Sequence, residues 1–137
     1  MREERRGMGF YSRNKYLAKP VYIDGIRFAS KKEGKRYQEL KLLEAAGAIS
    51  DLQLQVHFDL IPAQREPNTR GKRGGIIKGK LLERKVEYIA DFVYRDTETG
   101  EKIVEDVKGT KSGEAYKIFT LKRKLMLWVH GIKIREV

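Results

Sequence analysis

The sequence predicts an α/β (α+β) fold: a central mixed β-sheet with elements in the order α-β-β-β-α-β, preceded by a β-hairpin. Three observations lead there. Two stretches, one opening at Ser30 and one running from about Glu114 to His130, carry apolar residues at three- and four-residue spacing. DLQLQVHFDLI, residues 51 to 61, alternates apolar and polar residues as a half-buried strand does. Residues 86 to 94 and 102 to 108 form two further strand patterns around Thr97-Glu98-Thr99-Gly100, which reads as a hairpin.

Taken in order, the elements justify themselves locally. Residues 1 to 19 are polar and basic and read as a flexible arm, with Tyr11 and Tyr16 among Arg13, Lys15 and Lys19. In VYIDGIRF, Asp24-Gly25 between short apolar runs is a type I′ hairpin signal, because that turn needs positive φ. The first helix puts Tyr37, Leu40, Leu42 and Leu43 on an apolar face, and Gly47 stops it with a left-handed cap. The strand after it puts Leu52, Leu54, Val56, Phe58 and Leu60 on one face. Residues 62 to 84 scatter Pro and Gly among Arg65, Arg70, Lys72, Arg73, Lys78, Lys80 and Arg84, which reads as a long mobile basic loop with room for a short strand. The next strand has Val86, Tyr88, Ala90, Phe92 and Tyr94 as its apolar face. The second helix turns Ile118, Leu121, Leu125 and Trp128 inward and Lys117, Lys122, Arg123 and Lys124 mostly outward. Gly131 caps it, and IKIREV is a last strand. Residues 20 to 137 then make one domain.

Composition narrows the function. The 137 residues include 30 Lys+Arg against 19 Asp+Glu, a net charge of +11 and a pI of about 9.8. A small basic chain of this kind fits a polyanionic partner, nucleic acid first. With no cysteine, disulfides, thiolate metal sites and cysteine nucleophiles are excluded. No stretch approaches the ~20 apolar residues of a membrane span, and the opening residues lack a signal-peptide core. The expectation is a cytoplasmic protein with no membrane partner. GKRGG and KGK lack the GxxxxGK[ST] spacing of a nucleotide-phosphate loop.

Chemistry concentrates in YIADFVYRDTETGEKIVEDVKG. Strand period puts Asp106 and Lys108 on one face and Ile103, Glu105 and Val107 on the other. Asp91 lies on the partner strand with Ile89 and Val93 as expected same-face neighbours. A turn centred between Glu98 and Thr99 sets Asp91 opposite Asp106, side chains ~5 Å apart; a bulge at Gly100 would set it against Val107. Two carboxylates and an ammonium so arranged can hold a divalent metal and act on water attacking a phosphodiester. Ser30-x-x-Glu33 is a capping box, and that alone explains Glu33. Gln55, on the polar side of its strand, reads equally as an accessory to the site or as a solvated residue. His57, on a strand face, and His130, at a helix end, are poor candidates for catalysis. The basic loop residues Arg70, Lys72, Arg73, Lys78 and Lys80, with Lys117, are expected to contact a nucleic-acid backbone.

With these residues in place, the chain resembles the PD-(D/E)xK nuclease superfamily, the restriction-endonuclease-like fold, over about residues 20 to 137. SKKEGKRYQELKLLEAAGAISDLQLQ, then YIADFVY and VEDVKG, is similar to a phage and prophage family of unknown function assigned there. It is also similar to the nuclease subunit of some transposases and to certain Holliday junction resolvases. The resemblance implies a metal-dependent endodeoxyribonuclease acting on DNA, branched DNA included, in recombination or replication, encoded by a phage or prophage in the cytoplasm of a bacterial host. It implies Mg²⁺ or Mn²⁺ on Asp91, Asp106 and the Val107 carbonyl, with Glu33 completing the shell directly or through water, and Lys108 acting on the nucleophilic water. Such enzymes often dimerise to cut two strands, so the resemblance allows a homodimer. Ala90 stands where the superfamily's name-giving proline would be, and Asp106 replaces the commoner glutamate. The alternative is a non-catalytic nucleic-acid-binding module on the same fold; a third reading is a small RNA-binding protein.

Overall fold

The computed structural model describes residues 19–137. The arm expected over residues 1 to 19 falls outside them except for Lys19. The chain divides into two units, Met1–Leu42 and Leu43–Val137. The architecture is mixed α and β, with a four-stranded mixed sheet and two helices among the described residues.

In the first unit, β1 (Val21–Ile23) and β2 (Ile26–Phe28) pair antiparallel. Asp24 and Gly25 both have positive φ, 53° and 75°, the twist that a tight hairpin needs. Helix α1 (Lys31–Ala45) starts where the Glu33 N–H donates to Ser30 Oγ at 3.2 Å. The hairpin closes over α1. A Cβ at Gly34 would meet Val21 and Ile23 at 2.8 and 2.9 Å. The Tyr37 ring packs at a tilt against Phe28, centres 4.9 Å apart, and its hydroxyl donates to Asp24 Oδ2 at 3.0 Å. Tyr37 and Leu40 are buried, but Leu42 and Leu43, expected on the same face, are exposed. Gly47, at φ 79°, ends the helix as expected.

In the second unit, β3 (Ile49–Ile61), β8 (Val86–Asp96), β9 (Lys102–Asp106) and β10 (Arg135–Glu136) lie in the order β10-β9-β8-β3. Pairs β3–β8 and β8–β9 are antiparallel and β9–β10 is parallel. Helix α2 (Glu114–His130) makes the crossover that a parallel pair requires. The β8–β9 register, Phe92↔Glu105 through Arg95↔Lys102, is that of a turn centred between Glu98 and Thr99. Asp96 Oδ1 fixes the turn by accepting the amides of Glu98 and Thr99.

Two expected faces are overturned. Tyr88, Ala90, Val93 and Val104 share one core with Phe58, Leu60, Phe119 and Met126. Residues 88, 90 and 93 cannot share a face under strict alternation, so β8 changes face between Ala90 and Val93. Strand β3 changes with it: Leu54 pairs with Phe92 and Val56 with Ala90, and Gln55 between them has φ 51°. Thus Phe92 and Tyr94 lie on the face away from Tyr88 and Ala90, and Leu54 on the face away from Val56. Ile89 and Val93 are not equivalent neighbours of Asp91: Ile89 is exposed and Val93 buried.

The second correction concerns α2. Ile118, Leu121 and Trp128 are 57%, 61% and 86% exposed, and only Leu125 of the expected inward set packs against the core. Tyr116, Phe119 and Met126 turn inward instead. The two stripes have the same three-four-three spacing, so periodicity cannot choose between them. The winning stripe includes Arg123, and Tyr116 and Arg123 anchor it to Glu136 at 2.7 and 3.2 Å.

Residues 62 to 84, expected as a basic loop with room for a short strand at Gly75 to Leu82, carry four short strands. They form a paired ribbon, β4 (Gln64–Arg65) with β7 (Leu81–Glu83) and β5 (Thr69–Arg70) with β6 (Ile76–Ile77). Its strands come so close that a Cβ on Gly79 would lie 1.7 Å from the Glu66 carbonyl oxygen, which only glycine permits. No helix among the described residues is long and apolar enough to cross a membrane.

Trp128 is the only tryptophan, so its emission reports on α2. We expect a water-like, red-shifted spectrum that iodide quenches freely in the native protein. Trp128→Ser should change stability by no more than about 0.5 kcal/mol, whereas Met126→Ala should cost about 2–5 kcal/mol. A blue-shifted, protected Trp128 would put the predicted stripe back in the core.

Candidate active site

The ladder between β8 and β9 stops one step short of Asp91 and Asp106. Its last pair is Phe92↔Glu105, and the same register would bring Asp91 opposite Asp106. Instead of a backbone acceptor, the Val107 N–H finds Asp91 Oδ2 at 2.8 Å. Asp91 therefore closes the strand end with its side chain, and the carboxylate is turned toward the Asp106–Lys108 segment. Gln55 Nε2 donates to Asp91 Oδ1 at 3.3 Å, so this strand residue comes to the site.

Asp106 and Lys108 share a face as period two requires. Lys108 Nζ lies 2.5 Å from Asp106 Oδ2, and the Asp106 side chain is 8% exposed. Tyr88 O–H donates to Asp106 Oδ1 at 2.9 Å. Lys108 Nζ also sits 3.5 Å from the centre of the Phe119 ring, a cation–π contact that steadies the ammonium. Val137, the residue after β10, fixes the backbone of this segment: its N–H donates to the Asp106 carbonyl and Lys108 N–H donates to the Val137 carbonyl.

Tyr88 and Phe119 belong to this cluster and were not singled out in the sequence. Period two had separated Tyr88 from Asp106, and the face change brings them together. Phe119 was hidden by the choice of the Ile118 stripe. Glu105, whose parity turned it away, is buried on the other face, where it accepts a short hydrogen bond from Tyr94 and lies 3.9 Å from Arg135.

The electrostatics suit a cation. Burial pushes the Asp91 carboxyl above its ordinary value, the Val107 amide opposes this, and the Asp106 charge adds to it. Burial, then the Asp106 charge, pushes the Tyr88 phenol far up, so it remains a proton donor. The two carboxylates offer hard oxygen ligands of the kind Mg²⁺ uses when waters and a phosphate complete its shell. Among the described residues, no group of three or more His, Cys, Asp and Glu side chains is gathered to hold a metal.

Glu33 belongs to the first unit, where it is buried and its amide is capped by Ser30. Arg70, Lys72, Arg73, Lys78 and Lys80 are exposed on the ribbon. Lys117, exposed on α2, pairs with Glu114 at 3.2 Å. His57 is tied to Glu87 at 3.1 Å, and His130 to the Asp59 carbonyl at 2.7 Å.

The chain belongs to the family described as "Protein of unknown function (DUF1064)", which it matches over residues 13–134. No curated protein matches it, and no solved structure does.

A carboxyl whose folded-state pKa is raised weakens the fold when ionised, and the penalty disappears as pH falls through that raised value. Asp91→Asn should therefore raise the melting temperature in EDTA at pH 7. The gain over wild type should shrink as pH falls into the carboxylate range. Scanning calorimetry at several pH values checks this; a variant less stable than wild type at pH 7 would mean that the Val107 bond outweighs the burial cost.

Proposed function

We propose that this chain is a metal-dependent endodeoxyribonuclease of the PD-(D/E)xK type. One observation carries the reading: Asp91 and the Asp106–Lys108 pair meet at one strand end in a chain of net charge +11. A purely binding surface gains nothing from two carboxylates turned toward phosphate, whereas a hydrolytic site needs them.

In this reading Asp91 and Asp106 would hold Mg²⁺ or Mn²⁺, with the Val107 carbonyl added by the resemblance. When bound, the cation supplies positive charge against the phosphate and acidifies a water. Tyr88 O–H keeps one Asp106 oxygen oriented. Gln55 does the same for Asp91. Lys108, steadied over Phe119, exchanges its Asp106 partner for the attacking water or the phosphate oxygen. Water oxygen bonds to phosphorus and the bond from phosphorus to one sugar oxygen breaks. One product keeps the hydroxyl of water as a phosphate, and the other takes the proton as an alcohol. The exposed basic ribbon contacts backbone phosphates outside the reacting group, as does Lys117.

Nicking assays in Mg²⁺, Mn²⁺ and EDTA on linear, flapped and four-way DNA test this. Asp91→Asn, Asp106→Asn and Lys108→Ala should each abolish cleavage, with DNA binding kept or tightened in the two Asp variants because one repelling charge is gone. Lys108→Ala should leave calorimetric metal binding measurable, since lysine is not a ligand. Wild-type protein that binds DNA but cuts no form of it with either metal would leave the binding module as the reading.

Neutralising Arg70, Lys72, Arg73, Lys78 and Lys80 together should weaken DNA binding. It should also lower the slope of log K against log salt by roughly 0.9 for each phosphate that the ribbon no longer neutralises. An unchanged slope would remove the ribbon from the interface.

A further inference from the structure

Beside Asp106 and Lys108 lies an open cleft of about 340 Å³ with walls that hydrolysis alone does not explain. Ile89 from β8 and Ile118 from α2 line it, 41% and 57% exposed. Lys122, also from α2, lines it too. The one acid there besides Asp106, Glu87, is held by His57 and by Lys85 at 3.1 and 3.4 Å. The cleft thus has apolar walls, a cationic side and a neutralised acid, and its size suits a ligand of one nucleotide.

We propose that this cleft holds an unpaired nucleotide next to the scissile phosphate, its base against Ile89 and Ile118 and its phosphate toward Lys108 and Lys122. The inference rests on the nuclease reading and names the substrate within it: DNA that is single-stranded or frayed where it is cut. Every base has an apolar face, so contact with aliphatic walls is tolerant of sequence. A base stacked in a duplex cannot leave its neighbours without the cost of unstacking, and an unpaired base avoids most of that cost. The exposed isoleucines then have a task that a purely phosphate-binding cleft would leave to polar residues.

Fluorescence anisotropy with a labelled thymidine oligonucleotide and with a blunt duplex of equal length, in Ca²⁺, tests it on the full chain. The comparison is wild type against Ile89→Ser/Ile118→Ser. Both positions are exposed, so the variant should fold, and circular dichroism confirms that. Wild type should prefer the single strand, and the variant should lose about tenfold in affinity for it with its duplex affinity unchanged. Equal affinities in wild type, or an equal loss on both DNAs, would overturn the subsite. Cleavage of the same DNAs in Mg²⁺ separates the two ideas. A wild type that cuts without strand preference keeps the nuclease and loses the subsite; one that prefers single strands but cuts nothing keeps the subsite and loses the nuclease.

Discussion

The hydrogen bond from the Val107 amide to Asp91 Oδ2 marks where the sheet stops being a sheet. Up to Phe92 and Glu105, backbone groups satisfy one another. One residue further, a side chain takes the place of a carbonyl, and the backbone of β9 is free to turn toward β10. That turn lets Val137 pair with both Asp106 and Lys108. The carboxylates of Asp91 and Asp106 are held close by main-chain constraints rather than by attraction, and their mutual repulsion is built into the fold. Lys108 offsets part of it, at the cost of being engaged itself.

Positive φ at Gln55 is the other half of the same arrangement. A non-glycine residue in that region is uncommon and carries strain of order 1–3 kcal/mol. Strand β3 changes face at this residue. Opposite it β8 changes face as well, so Tyr88 comes onto the face of Asp106, Phe92 goes to the other side, and each face of the sheet receives an apolar half-strand. A glycine at position 55 would relieve the backbone and lose the amide that bonds Asp91.

Much of this was legible in the residues. Asp24-Gly25, Ser30, Gly47 and Gly131 mark their turn or helix end by requirements of φ or capping that few other residues meet. The turn sequence allowed two β8–β9 registers, and the one found, centred between Glu98 and Thr99, brings Asp91 to the Asp106 strand end. The face change was not legible, because LQLQVHFDL and VEYIADFVY alternate in sequence and the backbone angle of Gln55 leaves no mark on that alternation. The orientation of α2 was hidden differently. Two stripes of equal spacing compete there, and tertiary anchors on Glu136 decide between them. The ribbon's strands are too short to stand out among glycines and lysines, and their pairing depends on contacts such as Gly79 against Glu66. Tyr88 and Phe119 were missed for the first two of these reasons, and both touch the candidate site.

The outward stripe of α2 gives the molecule a colloidal character of its own. Each copy carries eleven net positive charges and, on one helix, a row of large apolar side chains facing water. At low ionic strength like charge keeps copies apart and favours any polyanion nearby. At about 0.1 M salt the screening length is only about 10 Å, roughly one helix diameter, and both effects weaken together. The hydrophobic attraction between stripes is not screened. Salt therefore shifts the balance of this protein's contacts away from polyanions and toward apolar surfaces, including those of its own copies.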